Sequence, residues 1–253
     1  MRAKGRYIYG THPVTEALRA EPQSVERLYV ASTSRHGRLR DVVELAEKHR
    51  VAIVDLARHK LDELVGHGHH QGIVAAVARF EYSELEDLVA LATKRHEPAL
   101  VVALDQVQDP HNLGAIARST YALGGHGLVM PQDRACEVTP TALKTAAGAL
   151  SHLGVARVVN LRRAIEELKE QGLWAVGAAA EGDVTLWDLE LTLPTVIVVG
   201  SEGYGLRRTV AQSCDRLVRI PMNGELGSLN ASVAASLFLY EATRQRRLAP
   251  PTR

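Results

Sequence analysis

Residues 99–118 read A-L-V-V-A-L-D-Q-V-Q-D-P-H-N-L-G-A-I-A-R. The first six are all apolar, the pattern of a strand buried on both faces of a parallel sheet. The last six repeat apolar residues at helical spacing, through Leu113, Ile116 and Ala117, and continue to Thr120. A polar, proline-containing turn separates the two, so the stretch predicts a strand, a loop and a helix in succession. Further along, Gly127–Met130, Leu173–Ala178 and Thr195–Gly200 have the same continuous apolar character, and helical patterns at Leu113–Leu123, Thr141–Leu150, Leu161–Gln171 and Leu229–Arg246 lie between and after them. That alternation is the order of a wound parallel α/β sheet. Working toward the N-terminus, the acidic stretch 81–97 has helical spacing at Leu85, Leu88, Val89 and Ala92 and meets Pro98, where a helix should stop; it is expected to act as a linker. Before it, strands at Glu26–Ala31, Val51–Asp55 and Ile73–Phe80 with a helix at Leu39–His49 predict a small second α/β module. The expected division is therefore 1–80, a linker at 81–97, and 98–253.

The chain of 253 residues carries 30 Lys+Arg against 29 Asp+Glu, but the balance is regional. Residues 1–80 hold 13 bases, 9 acids and 7 of the 11 histidines, a modest positive excess suited to phosphate contacts. Aromatic residues make up only 4%, too few for a platform that grips single strands by base stacking. Cys136 and Cys214 are the only cysteines, and neither belongs to a C-x-x-C pair, so neither a disulfide framework nor a structural zinc site is indicated. His67, His69 and His70 in G-H-G-H-H-Q-G have poor ligand spacing, and no metal is expected. With no signal-peptide core and no apolar run long enough to span a bilayer, a cytoplasmic location without membrane attachment is expected.

Ligands of open α/β sheets collect at the carboxyl ends of strands, which directs attention to the loops after Leu104, Gly200 and Ile220. In the first, Asn112 stands where a helix N-cap is wanted, and His111, Gly114 and Arg118 share one stripe of the following helix. A glycine inside a helix costs roughly 1 kcal/mol relative to alanine, so Gly114 suggests that something approaches closely beside Arg118. The second, V-I-V-V-G-S-E-G-Y-G-L at 196–206, is spaced G-x-x-G-x-G and lacks the dinucleotide fingerprint; Glu202 would repel a phosphate and suits an uncharged or cationic ligand. The third, I-P-M-N-G-E-L-G-S-L-N-A-S at 220–232, places Ser228 or Asn230 as caps of a helix whose apolar face is read as Leu229, Val233, Leu237 and Tyr240.

Taken together, D-x-x-x-D-P-x-N-x-G-x-x-x-R, V-x-G-x-E-G-x-G and I-P-M-x-G-x-x-x-S-L-N-x-S-x-A, in that order over residues 104–236, resemble the three signature motifs of the SpoU (TrmH-type) branch of the SPOUT methyltransferases. The N-terminal Y-G-x-H-P-V-x-E-A-L from Tyr9 to Leu18 and H-Q-G-I from His70 to Ile73 resemble that family's substrate-binding module, which is similar to ribosomal proteins L30e and L7Ae. The resemblance implies a C-terminal α/β domain with a trefoil knot, a homodimer, and S-adenosylmethionine as cofactor. It places Gly200, Ile220 and Leu229 around the adenine and ribose, with Met222 nearby. Asn112, Arg118, Glu202, Ser228 and Asn230 carry over as the catalytic constellation, Arg118 being supplied across the dimer, and His70 and Gln71 as RNA-binding residues. The implied reaction is methyl transfer to a ribose 2′-hydroxyl, with the nearest likeness to members acting on a guanosine of bacterial 23S rRNA. Methylation of tRNA, a catalytically silent RNA-binding protein and a nucleotide-dependent oxidoreductase are the competing readings.

Overall fold

The computed structural model describes residues 6–20, 22–32, 39–66, 68–78, 80–223 and 227–249. The chain divides into two compact units, 1–81 and 82–253.

In the first unit β1 (Arg6–Tyr9), β2 (Val25–Ala31), β3 (Ala52–Leu56) and β4 (Ile73–Val77) form a mixed sheet in the order β1-β4-β2-β3, with only β2 and β3 parallel. Helices α1 (Thr11–Ala20) and α2 (Arg40–Lys48) cover one face through Val14, Leu18, Val42 and Ala46. Helix α3 (Arg58–Val65) covers the other through Leu61. Strand β1 and helices α1 and α3 were not legible in the sequence pattern. Their apolar residues are few, and Gly10 and Gly66 at the ends of β1 and α3 mark turns that local spacing does not distinguish from loops.

The second unit begins earlier than the sequence suggests. Helix α4 (Leu85–Arg95), in the stretch expected to serve as a linker, is fixed at its start by a reciprocal cap between Glu84 and Asp87 and buries Leu85, Leu88 and Ala92 in this unit's core. Seven strands follow: β5 (Leu100–Leu104), β6 (Gly127–Pro131), β7 (Gly154–Val158), β8 (Trp174–Ala178), β9 (Val184–Thr185), β10 (Thr195–Val199) and β11 (Arg216–Arg219). All pair in parallel in the order β7-β6-β5-β10-β8-β11-β9. Strand β7 escaped the sequence reading because Arg157 interrupts a five-residue run; its guanidinium donates to the Gln132 carbonyl at 2.9 Å and lies 5.3 Å from the centre of the Tyr82 ring.

Helices α4, α7 (Leu161–Glu170) and α8 (Arg208–Ala211) pack on the face that carries Val101, Ala103, Val196 and Val198. Alternation along β5 leaves Leu100, Val102 and Leu104, equally buried, for the other face. There α5 (Pro110–Ala122) packs against both α6 (Pro140–Ala146) and α9 (Ala231–Leu248). The helix expected over 141–150 stops at Ala146, because Ala147 and Gly148 both turn to positive φ. No helix among the described residues is long and apolar enough to cross a membrane.

Two polar devices close the lower rim of the sheet. Arg246 of α9 donates to four backbone carbonyls, those of Pro98, Ala99, Leu191 and Leu193, at 2.6–3.1 Å, and burial lowers its guanidinium to about 10. His126 is buried; its Nδ1 accepts from the Leu100 N–H at 3.0 Å, so Nε2 carries the proton toward Glu97, 3.1 Å away. Desolvation pushes the His126 pKa below its ordinary value of 6.5, with Glu97 opposing. The unfolded chain then binds the proton at higher pH than the fold does. Stability from the neutral ring is complete above about 6.5 and is lost as the pH falls below that value toward the folded pKa. The urea midpoint of the native chain should therefore drop between pH 7.5 and 5.5 more steeply than that of His126→Gln, and parallel curves would refute this.

Candidate active site

Strands β5 and β10 are neighbours, and the chain winds away from them in opposite directions, so the loops after Leu104 and Val199 meet at the switch point of the sheet. Asp105 fastens them together. Its N–H continues the ladder to the Val199 carbonyl at 2.8 Å, and its buried carboxylate accepts from the backbone N–H and the Nε of Arg207, both at 2.7 Å. Between Val199 and Arg207 the chain makes a small hairpin, closed by two backbone bonds between Ser201 and Gly205. A Cβ at Gly200 would lie 2.2 Å from the carbonyl carbon and oxygen of Gly205, so only glycine fits where the hairpin folds back on the strand.

Helix α5 does not start at Asn112. Asp109 is the N-cap, accepting from the His111 N–H at 2.9 Å, and Pro110 opens the helix with a preset φ and no donor to lose. Asn112 is thereby released from capping into the first turn, where its side chain faces the other two loops. Asn230, by contrast, is the N-cap of α9: its Oδ1 accepts from the N–H groups of Ser232 and Val233. With its oxygen so engaged, Asn230 turns its Nδ2 outward, donating to Asn112 Oδ1 at 2.9 Å and to Glu202 Oε1. Asn112 Nδ2 donates to the same Glu202 oxygen at 2.7 Å. Residues 112, 202 and 230, taken from three loops, thus form a closed hydrogen-bonded triangle in which each amide orientation is fixed by the one before it.

Beside the triangle lies a cavity of about 680 Å³ over the carboxyl ends of β10, β8 and β11. Gly200, Glu202, Ile220, Met222, Ser228 and Leu229 all line it. Its described lining contains two carboxylates, Glu181 and Glu202, and no lysine, arginine or histidine. Glu181 and the small wall Ala178–Ala180 were missed in the sequence, where A-A-A-E-G carries no signature; only its place at a strand's carboxyl end could have drawn attention to it. Residues 224–226 of the third loop, and His67, lie outside the described residues.

Arg118 does not line the cavity. It is exposed on α5 and has no hydrogen bond or ion pair to a described residue. The close approach anticipated at Gly114 comes from α6: a Cβ there would meet the Ala142 carbonyl oxygen at 2.5 Å and Thr145 Cβ at 2.6 Å. The apolar stripe read on the last helix also needs correction. Helix α9 buries Ala231, Ala235, Phe238, Leu239 and Ala242, whereas Val233, Leu237 and Tyr240 are exposed. Small residues let α9 sit close to α5, where Ser236 donates to Ser119 at 2.7 Å, and the bulkier stripe is left outside.

In the first unit His70 is completely buried, its Nδ1 accepting from the Gly72 N–H at 2.9 Å and its Nε2 lying 3.0 Å from Asp62. Both ring nitrogens are thus occupied, and His70 shapes the loop without presenting a surface to a ligand. Gln71 is exposed at a positive φ, and its Oε1 accepts from the Thr11 N–H at the start of α1. Among the described residues no group of three His, Cys, Asp or Glu side chains is placed to hold a metal ion. Burial pushes the Cys214 thiol up to about 12, which makes it inert as a nucleophile.

Two family models match this chain. Residues 99–240 match the SpoU rRNA Methylase family and residues 7–83 a model described as RNA 2′-O ribose methyltransferase substrate binding. A protein of Bacillus subtilis (strain 168), whose name places it in a TrmH family of tRNA/rRNA methyltransferases, is 43% identical over 240 residues, 95% of this chain and 96% of its own length. Among solved structures, the SpoU methyltransferase AviRb from Streptomyces viridochromogenes, in complex with the cofactor AdoMet, superposes with a TM-score of 0.64 at 29% identity, covering 98% of this chain and 93% of that one. A TrmH/SpoU tRNA modifying enzyme of A. aeolicus gives a TM-score of 0.55 at 30% identity, but covers only 65% of this chain against 85% of its own. Three converging loops, one cavity and the agreement of sequence and structure across both units lead to one assignment: this chain belongs to the SpoU rRNA methylase family.

Proposed function

We propose that this protein transfers a methyl group from S-adenosylmethionine to the ribose 2′-hydroxyl of a guanosine in 23S rRNA, acting as a homodimer in the cytoplasm. The observation that carries the reading is the cavity beside the Asn112–Glu202–Asn230 triangle. Its volume falls within the roughly 300–1,000 Å³ of small-ligand sites. Two carboxylates without a basic side chain favour a cation and disfavour the diphosphate of a dinucleotide, which speaks against the oxidoreductase reading. Gly200 offers bare backbone, and Ile220 and Leu229 offer apolar surface, to a flat heterocycle.

When bound, S-adenosylmethionine supplies a methyl group activated by its sulfonium leaving group. The protein's task is then alignment, worth up to roughly 7–11 kcal/mol in ideal cases. The triangle holds Glu202 in one orientation, and Ser228 offers a hydroxyl at the cavity wall. Arg118 of one protomer reaches the partner's site, where its fork clamps the substrate phosphate and steadies the developing oxyanion while the proton leaves to phosphate or water. A guanidinium is too strong an acid-holder to serve as the base at neutral pH. The exposed stripe Val233, Leu237 and Tyr240, on the helix that packs against α5, supports the dimer. The first unit, with its excess of bases, supports a large structured RNA. The tRNA enzyme of A. aeolicus matches only part of this chain, so the extra module favours rRNA over tRNA.

Calorimetry should show binding of S-adenosylmethionine and none of NAD. Mapping of 2′-O-methyl groups in rRNA should reveal one guanosine methylated only in cells that contain the protein. An unchanged rRNA map beside a lost tRNA methyl group would move the target to tRNA, and no change in either would defeat the enzymatic reading.

A further inference from the structure

We infer that Glu181 accepts hydrogen bonds from the ribose 2′- and 3′-hydroxyls of the bound cofactor, an assignment that rests on the methyl-donor reading above. Strand β8 lies beyond β10 as seen from β5, so its carboxyl end closes the cavity on the side away from Asn112. The wall there reads Ala178, Ala179, Ala180, Glu181. Three methyl groups supply apolar surface and no hydrogen-bonding side chain, leaving the carboxylate as that wall's single polar side chain.

The turn that presents it is held firmly. Ala179 donates to the Val218 carbonyl at 3.0 Å, Gly182 donates back to Ala179 at 3.2 Å, and Arg219 Nη1 donates to the Gly182 carbonyl at 2.7 Å. A Cβ at Gly182 would lie 2.6 Å from Arg219 N and from Val218 C, so the turn is seated directly on β11. Glu181 is exposed at the tip and has no hydrogen bond or ion pair to any described residue. A carboxylate carried on a firmly seated turn at the cavity wall, without a partner among the described residues, is matched by a donor on the ligand.

The chemistry selects which donor. A carboxylate only accepts, and the cofactor offers two kinds of donor, the ammonium of the amino-acid end and the ribose diol. Glu202, held in the triangle with Asn112 and Asn230, is the carboxylate placed for the cationic end, whereas the alanine methyl groups beside Glu181 suit the apolar face of a nucleoside. The amino-acid end therefore turns elsewhere, and the adenosine lies against this wall. There the vicinal diol offers two adjacent hydroxyls to the two carboxylate oxygens, and hydrogen bonds to an ionised acceptor are about twice as strong as neutral ones.

Titration calorimetry on the full chain tests this with three probes: S-adenosylmethionine, 5′-methylthioadenosine, which lacks the amino-acid end, and the 2′,3′-dideoxyribose analogue of S-adenosylmethionine. Glu181→Ala should weaken the first two by about tenfold to a hundredfold, the loss expected for hydrogen bonds to a charged group. It should bind the dideoxy analogue as the native chain does, and Glu181→Gln should fall between. Thermal unfolding should be unchanged, since the side chain is exposed and unpartnered. Native-like binding of S-adenosylmethionine by Glu181→Ala would overturn the assignment. So would a penalty that persists with the dideoxy analogue, which would make Glu181 a support for the turn, or one that spares methylthioadenosine, which would place the contact at the amino-acid end. If the native chain bound none of the probes, the methyl-donor reading itself would fail, and this assignment with it.

Discussion

Arg118→Lys should lower methyl transfer by about a hundredfold or more, while the affinity for S-adenosylmethionine stays within about twofold of the native value. Lysine keeps the charge but loses the planar fork that grips a phosphate through two parallel bonds. The cofactor term is spared because Arg118 does not line the cavity of its own chain. Single-turnover rates on the methylatable RNA, with calorimetry for the cofactor, separate the two effects. Near-native transfer by Arg118→Lys would dismiss the clamp. The same position also tests the dimer. Mixed Arg118→Ala and Glu202→Ala protomers should recover about a quarter of native activity if Arg118 acts across a two-fold interface, since half of randomly formed dimers then hold one intact site. No recovery would mean that Arg118 serves its own chain.

Arg207→Ala should cost about 3 kcal/mol of stability, the lower end of what is seen when one member of a buried ion pair is removed. Asp105 is fully buried, so the loss strands its charge; Arg207 is about one-third exposed, so water enters and limits the penalty. For the second unit that corresponds to a fall in Tm of about 6–12 °C. The consequence reaches past stability, because the same pair holds the Gly200–Leu206 hairpin against the loop that carries Asn112. Cofactor affinity should fall in Arg207→Ala even at temperatures where the variant is fully folded. A variant with native Tm would show that the pair contributes nothing net.

The central strands were legible because six-residue apolar runs such as Ala99–Leu104 mean the same thing wherever they occur. The three loops were legible because Gly200, Glu202 and Asn230 sit at fixed distances from those runs. Local choices among competitors were harder. Asn112 and Asp109 are both good caps, and Pro110 decides between them by opening the helix one residue after Asp109. Gly114 correctly signals a close neighbour, but helical spacing cannot say whether that neighbour is a ligand or α6. On α9 two stripes compete for the core, and the smaller residues win because only they allow the approach to α5; the larger stripe, more conspicuous in the sequence, stays outside. His70 has the residue type of a binding group, yet its burial follows from Asp62 and Gly72, neither of which marks it in the sequence.

The four carbonyls gathered by Arg246 bear on the order of events during synthesis. The first unit completes its sheet once Val77 has emerged, and it can fold while translation continues. The second unit cannot. Its middle pair, β5 and β10, joins segments about 95 residues apart, and of the groups that tie down their entering ends the Arg246 side chain is the last to emerge. Until that arginine leaves the ribosome, the nascent methyltransferase domain exposes an unfinished parallel sheet, and it is at this stage that a chaperone would be needed.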